Sequence, residues 1–123
     1  MQAIIETPTF IKDAGDAGVP DDEREAMVDV IAADPMIGTP IPGTGGARKV
    51  RFAGRGKGKS GGYRVITFFA ADDVPILLLA LVNKGERADI SKADKNAMRQ
   101  RLSRFADAYR AGVRQQLKMR ERS

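Results

Sequence analysis

The sequence predicts an α+β fold: an antiparallel or mixed, twisted sheet of about four strands, flanked by an N-terminal helical hairpin and a C-terminal helix. Apolar residues recur at helical spacing before residue 35, and three strand-like runs follow between residues 48 and 82. A long amphipathic pattern begins at residue 91. Because the helices precede a group of strands, we expect a mainly antiparallel sheet in the order β-α-α-β-β-β-α.

The N-terminal part predicts a short edge strand over residues 3–5 and then two helices. Thr7 and Pro8 are typical of an N-cap and a first helical position, and glycines at 15 and 18 end the helix. The second helix opens at Pro20 with three acidic residues, which favour the positive end of the helix dipole, and ends before residue 35. Its expected buried stripe comprises Met27, Val30 and Ile31.

The middle of the chain predicts three strands. A Gly- and Pro-rich loop over residues 38–46 precedes runs at 48–53, 63–70 and 75–82, the last of which is apolar throughout. The short turn at Asp72 and Asp73 suggests that the last two runs form an antiparallel hairpin. This pairing would bring Arg64 close to residues 81–84.

The C-terminal part predicts a long helix that Ser91 caps, with Asp94 at capping-box spacing. One face is apolar and is expected to pack on the sheet: Met98, Leu102, Phe105, Tyr109 and Val113. The other face is rich in arginine: Arg99, Arg101, Arg104, Arg110 and Arg114. That face is either solvated or a surface for an RNA backbone or an acidic protein segment. We expect one domain over residues 1–117 and a charged, disordered tail over residues 118–123.

The composition restricts the possible chemistry. The 123 residues include no histidine, cysteine or tryptophan. Ser-His and Cys-His catalytic pairs, thiol chemistry, disulfides and zinc sites of the His/Cys kind are therefore excluded. We predict no metal site and no cofactor, so any proton transfer falls to Lys, Arg, Tyr, Asp, Glu or the substrate.

The charge is strongly asymmetric along the chain. Residues 1–46 carry nine acidic and two basic side chains, whereas residues 47–123 carry 19 basic and seven acidic ones. The second part could therefore form a surface for a polyanion. No signal peptide and no apolar run long enough to span a membrane are visible, so we expect a cytoplasmic protein without a membrane partner.

Residues 53–60, AGRGKGKS, fit a loose form of the phosphate-binding loop of nucleotide hydrolases. That site requires a helix after the loop, and the sequence that follows predicts a strand. We therefore reject this interpretation. Two alternatives stay open: a Gly-rich hairpin connection, or a phosphate-facing loop of another kind.

The basic residues of the second part suit RNA cleavage without histidine. The neighbouring 2′-OH can serve as nucleophile, arginine can hold the phosphate oxygens, and lysine can transfer protons when nearby positive charge lowers its pKa. No acidic residue occurs from 47 to 71 to neutralise this region. The candidate catalytic residues are Lys57, Lys59, Arg64 and Lys84. The candidate RNA- or phosphate-binding residues are Arg48, Lys49, Arg51, Arg55 and Arg87.

Three segments resemble the RelE/HigB-type toxins of bacterial toxin–antitoxin pairs, within the RelE/ParE superfamily: IETPTF at residues 5–10, PIPGTGGARKVRFAGRGKGKSGGYRVITFF at 40–69 and LLLALVNKGERADIS at 77–91. The resemblance implies a small α+β ribonuclease that cleaves mRNA in the ribosomal A site and is held in check by an antitoxin, often a helix-turn-helix protein. It places the family's phosphate-binding arginine on Arg64 and its basic residues on Lys57, Lys59 and Lys84. Val82 stands where family members often carry tyrosine.

Two other functions remain open from the sequence. The same basic residues could grip phosphates in a non-catalytic RNA- or DNA-binding module. The chain could also be a degenerate toxin that acts only through its antitoxin. Which residue is the general base and which the general acid is left open, and Arg87 is one candidate for the acid.

Overall fold

The computed structural model describes residues 2–54, 62–83 and 91–121, and it confirms the α+β class. The helices are α1 (Pro8–Asp16), α2 (Asp21–Ala33) and α3 (Lys92–Glu121). The strands are β1 (Ile4–Glu6), β2 (Thr39–Pro40), β3 (Ala47–Phe52), β4 (Tyr63–Phe68) and β5 (Ile76–Asn83). The element order is as predicted except for β2, which lies within the segment expected to be a loop and makes a fifth strand.

The five strands form one mixed sheet in the order β1-β5-β4-β3-β2. Strand β1 runs parallel to β5, and the other neighbouring pairs are antiparallel. The predicted hairpin of β4 and β5 is confirmed, with Arg64 opposite Val82. Its register shifts between Ile66 and Thr67, which are paired with Ala80 and Leu78, so Leu79 forms a bulge.

Helices α1 and α2 cover one face of the sheet and form the larger core. Buried side chains from both helices and from the loop between them meet buried side chains of β4 and β5: Phe10, Ala14, Val19, Met27, Ile31, Tyr63, Val65, Ile76, Leu78 and Leu81. The prediction for Val30 is wrong, because its side chain is 43% exposed. The buried positions of α2 are Glu23, Met27, Ile31 and Ala32, and Val30 lies beside that row on the solvent side.

Helix α3 covers part of the opposite face. Leu102 is buried against Ala47, Phe68 and Leu77, and Met98 and Phe105 pack around them. The prediction that the apolar face of this helix packs on the sheet is confirmed only for its first half. The second half extends beyond the sheet, and α3 continues through Glu121, four residues into the segment for which the sequence predicts a tail.

Both predicted N-caps are confirmed. The Thr7 hydroxyl accepts a hydrogen bond from the Phe10 backbone N–H at 3.3 Å. The Ser91 hydroxyl accepts one from the Asp94 N–H at 3.1 Å. These bonds satisfy N–H groups that have no partner within the first turn of a helix, so they fix where α1 and α3 begin.

Candidate nucleic-acid interface

Lys49, Arg51 and Arg64 form a basic row on one face of the sheet. Arg51 and Arg64 are directly opposite each other on β3 and β4, and Lys49 is opposite Ile66. Side chains alternate between the two faces of a strand, so Lys49 and Arg51 share a face, as do Ile66 and Arg64. The basic row is therefore one continuous surface.

The basic row lies at the end of the sheet face that the described part of α3 does not cover. Along the same face, Ala47 and Phe68 are paired with each other and are buried beneath Leu102. Phe68 is four positions after Arg64 in β4, a distance of about 13 Å. Arg51 is exposed and Arg64 is partly exposed, so a ligand can reach their guanidinium groups.

Within the described residues, no side chain neutralises the charges of the basic row. Residues 47–71 contain no acid. The ion pairs in the described ranges lie elsewhere: within α1, within α2, between α2 and Glu6 of β1, and between Arg110 and Asp73. Two cations on directly opposite positions of a sheet repel each other. A bound polyanion would relieve this repulsion, so the arrangement favours phosphate as a ligand.

The backbone around Arg64 is held firmly. Strand β4 lies between β3 and β5, and the flanking residues Tyr63 and Val65 are buried. Gly62 enters the strand with a φ of 128°, and a Cβ atom there would lie 2.6 Å from the Phe52 carbonyl oxygen. Only glycine fits this conformation and this close approach, and it fixes the start of β4 two residues before Arg64.

Helix α1 holds the bulge of β5, which lies opposite Ile66 and Thr67 of the strand that carries Arg64. The Thr7 hydroxyl donates to the Leu78 carbonyl oxygen at 2.7 Å, and the Asp13 carboxylate accepts from the Leu81 N–H at 3.1 Å. Both backbone groups flank the bulge at Leu79. The sequence predicts neither contact, because nothing in the local sequence around residues 7–13 indicates a partner in β5.

Arg48 lies away from the basic row. It neighbours Lys49 in β3 and therefore points to the opposite face of the sheet. Its guanidinium donates to the carbonyl oxygens of Ile37 and Gly38 at 3.2 and 3.0 Å. In this structure Arg48 holds the turn that leads into β2.

The other predicted site residues lie outside the described residues. They are Arg55, Lys57, Lys59, Lys84 and Arg87. The strand ends from which these segments leave are neighbours, because Phe52 is paired with Tyr63 and Tyr63 with Asn83. The predicted loop and Lys84 thus connect to adjacent ends of the sheet, next to the basic row.

The chain matches a known protein family over nearly its whole length. The model of the RelE toxin of the RelE/RelB toxin–antitoxin system matches residues 5–121. The chain belongs to the RelE toxin family. It is therefore a toxin of a toxin–antitoxin system, and the family implies an antitoxin as partner.

The described part of this RelE family toxin has neither a metal-binding cluster nor a membrane-spanning helix. Within residues 2–54, 62–83 and 91–121, no cluster of acidic side chains has the size needed to hold a metal ion. None of the helices in those same ranges is both long and apolar enough to cross a membrane.

Proposed function

We propose that this RelE family toxin is a metal-independent endoribonuclease that cleaves mRNA in the A site of the ribosome and so inhibits translation. Its partners are the ribosome, the mRNA and a cognate antitoxin of the helix-turn-helix kind. We place the activity in the cytoplasm, where translating ribosomes are found.

The proposed reaction uses the substrate's own 2′-OH. A base on the protein removes the proton of this hydroxyl, and its oxygen forms a bond to the adjacent phosphorus. The bond from phosphorus to the 5′-oxygen breaks, and an acid on the protein gives a proton to that leaving oxygen. The products are a 2′,3′-cyclic phosphate and a free 5′-OH. The proposed reaction needs neither an external nucleophile nor a metal ion.

The observation that carries the proposal is the position of Arg64. It lies on an interior strand, directly opposite Arg51, at the uncovered end of a sheet face and without a carboxylate partner among the described residues. The planar guanidinium can donate two parallel hydrogen bonds to non-bridging phosphate oxygens. Arg64 would thus stabilise the charge that develops on phosphorus oxygens in the transition state.

Lysines supply the proton transfers in this proposal. Lys57, Lys59 and Lys84 are the candidates for base and acid, because the segments that contain them leave the sheet beside Arg64. Lys49 and Arg51 would hold flanking phosphates, together with Arg55 and Arg87. Arg48 contributes less to RNA binding in this proposal, since its guanidinium is engaged with Ile37 and Gly38.

Mapping of mRNA ends on ribosomes tests the proposal. The wild-type chain, added to a translating extract, is expected to produce new mRNA ends in the A-site codon that carry a 2′,3′-cyclic phosphate. Arg64→Ala should lower the cleavage rate by about 100-fold or more, as removal of a single transition-state donor does. Arg64→Lys should be intermediate, because it keeps the charge and loses the planar fork.

Arg101→Ala is the matched control, because Arg101 is an exposed arginine of α3 away from the basic row. It should cleave like the wild type. If ribosomes bind the wild-type chain and no new mRNA ends appear, the chain is a non-catalytic RNA-binding module and the proposal is wrong. If Arg64→Ala and Arg101→Ala cleave equally, the site is elsewhere.

A further inference from the structure

The C-terminal part of α3 extends away from the body of the protein. The ion pair between Arg110 and Asp73 joins the middle of the helix to the turn between β4 and β5. Beyond it, residues 111–119 are exposed along their whole length. We call residues 108–119 the α3 extension; at 1.5 Å per residue it is about 18 Å long.

The α3 extension carries an apolar ridge that is partly exposed to solvent, and the ring of its first residue, Tyr109, lies 6.3 Å from that of Phe105 one turn earlier in the same helix. Tyr109, Val113 and Leu117 follow one another at intervals of four and are 37%, 42% and 52% exposed. They continue the face on which Leu102 and Phe105 pack against the sheet. An isolated helix of this length is marginally stable in water, so packing of this ridge would add stability that the body of the protein does not provide.

A second ridge of small or neutral residues runs beside the apolar one. Ala108, Gly112 and Gln116 also follow at intervals of four, and the two ridges line a shallow groove. A Cβ atom at Gly112 would meet nothing within 4 Å. Glycine in a helix costs about 1 kcal/mol relative to alanine, and no contact of the described chain requires it there. A second helix that packs its ridge into this groove would use the missing side chain for close approach.

The other flank of the apolar ridge is basic. Arg110, Arg114 and Lys118 follow one another at intervals of four, and no acidic residue occurs from 108 to 120. Arg110 is already paired with Asp73, so Arg114 and Lys118 are the cations of this flank that would meet a partner. Two copies of the chain that met through this face would place like charges together. An RNA backbone would use these cations and leave the apolar ridge in water. An amphipathic helix with acidic flanks satisfies both features.

We propose that the α3 extension binds an acidic amphipathic helix of a partner protein. The apolar face of that helix packs on Tyr109, Val113 and Leu117, and its backbone approaches Gly112. Its carboxylates pair with Arg114 and Lys118 of α3. The surface is separate from Arg64 and does not depend on catalysis. Only the identification of the partner as the antitoxin rests on the proposed function.

Binding of designed peptides to the full chain tests the proposal. The probe is a fluorescent helical peptide of about 21 residues, six turns, with leucines on one face and glutamates on both flanks. A second peptide has lysine in place of every glutamate. Fluorescence anisotropy should show that the acidic peptide binds at least about tenfold more tightly than the basic one. Salt near 0.5 M should weaken the binding of the acidic peptide, since it screens the pairs.

Two pairs of variants place the binding surface. Val113→Asp should weaken binding of the acidic peptide by about tenfold or more. Met119→Asp adds the same charge on another side of the helix and should leave the affinity within about twofold of the wild-type value. Gly112→Leu should block the groove, whereas Ala111→Leu on a different side should not. Circular dichroism checks that all four variants keep α3 helical.

The following outcomes would overturn the proposal. The two peptides could bind equally, or Val113→Asp and Met119→Asp could have equal effects. Sedimentation could instead show a wild-type dimer that Val113→Asp dissociates, which would make a second copy of the chain the occupant. Val113→Asp should cleave mRNA at the wild-type rate, because the α3 extension is separate from Arg64. If the wild-type chain itself does not cleave mRNA, the proposed function is refuted and the peptide result still stands.

Discussion

Arg110 and Asp73 form a two-point ion pair that joins the middle of α3 to the turn between β4 and β5. The Arg110 Nε lies 2.8 Å from one carboxylate oxygen of Asp73, and a terminal guanidinium nitrogen lies 3.1 Å from the other. Both side chains are partly in solvent. The pair marks the point where α3 leaves the sheet.

This pair predicts a pH dependence. The hydrogen bond from Arg110 holds the pKa of the Asp73 carboxyl below its ordinary value of 3.8. A lowered pKa contributes stability above the unfolded value, and that contribution is lost as the pH falls through the folded value. The wild type should therefore have a higher Tm than Asp73→Asn at neutral pH, and the difference should disappear well below pH 4.

Asp72→Asn is the control for this measurement, since it changes the neighbouring carboxylate in the same turn. Its Tm should follow the wild type at neutral pH. Calorimetry from pH 2.5 to pH 7 would decide the matter, and a constant gap between wild type and Asp73→Asn across that range would refute the assignment.

The hydrogen bond from the Leu81 N–H to the Asp13 carboxylate predicts a loss of stability when Asp13 is replaced. Asp13→Ala leaves the Leu81 N–H at the bulge without its acceptor, which should lower the free energy of unfolding by about 1–3 kcal/mol in urea denaturation. Asp13→Asn retains an acceptor oxygen and should recover most of this loss. Asp16→Ala removes an exposed pair with Lys12 and should cost about 0.5 kcal/mol or less. Equal losses for Asp13→Ala and Asp16→Ala would argue against the role of the bulge contact.

Two glycines should respond in opposite directions to alanine. Gly62→Ala places a Cβ atom 2.6 Å from the Phe52 carbonyl oxygen at a φ of 128°, so the free energy of unfolding should fall by about 1–3 kcal/mol. Gly15 lies in α1, and a Cβ atom added there would meet nothing within 4 Å. Gly15→Ala should therefore raise the free energy of unfolding by up to about 1 kcal/mol. Thermal or urea unfolding measures both. A neutral Gly62→Ala would show that the start of β4 can shift.

Replacement of Arg51 should stabilise the fold and weaken RNA binding. Arg51→Thr removes the repulsion with Arg64, so the free energy of unfolding should rise by about 0.2–1 kcal/mol. The same change should weaken RNA binding and lower the salt dependence of binding by about one phosphate contact. Arg101→Ala should change stability by less than about 0.5 kcal/mol and leave the salt dependence unaltered. A loss of stability in Arg51→Thr would contradict the repulsion.

Local patterns were sufficient to predict most elements. The caps at Thr7 and Ser91, the hairpin turn at Asp72 and Asp73, and strand alternation each depend on a few neighbouring residues. The same alternation gives the shared face of Lys49 and Arg51. The pairing of Arg64 with Val82 follows from counting outward from the turn.

Features that depend on distant partners were not predictable. The bulge at Leu79 rests on Thr7 and Asp13, which are about 70 residues away in sequence. Strand β2 has two residues, too few to show an alternating pattern. The apolar period of α3 continues through Val113 although the sheet has ended, because periodicity records which face is apolar and not what lies against it.

The parallel pairing of β1 with β5 has a consequence for how the chain folds. Strand β1 is made first, yet the partner it has among the described strands is β5, and the Thr7 hydroxyl donates a hydrogen bond to a carbonyl 71 positions later. Contacts of such long sequence separation form slowly, and during synthesis they wait until β5 has left the ribosomal tunnel. The sheet that holds Arg64 in place is therefore completed late, after most of the chain has been made.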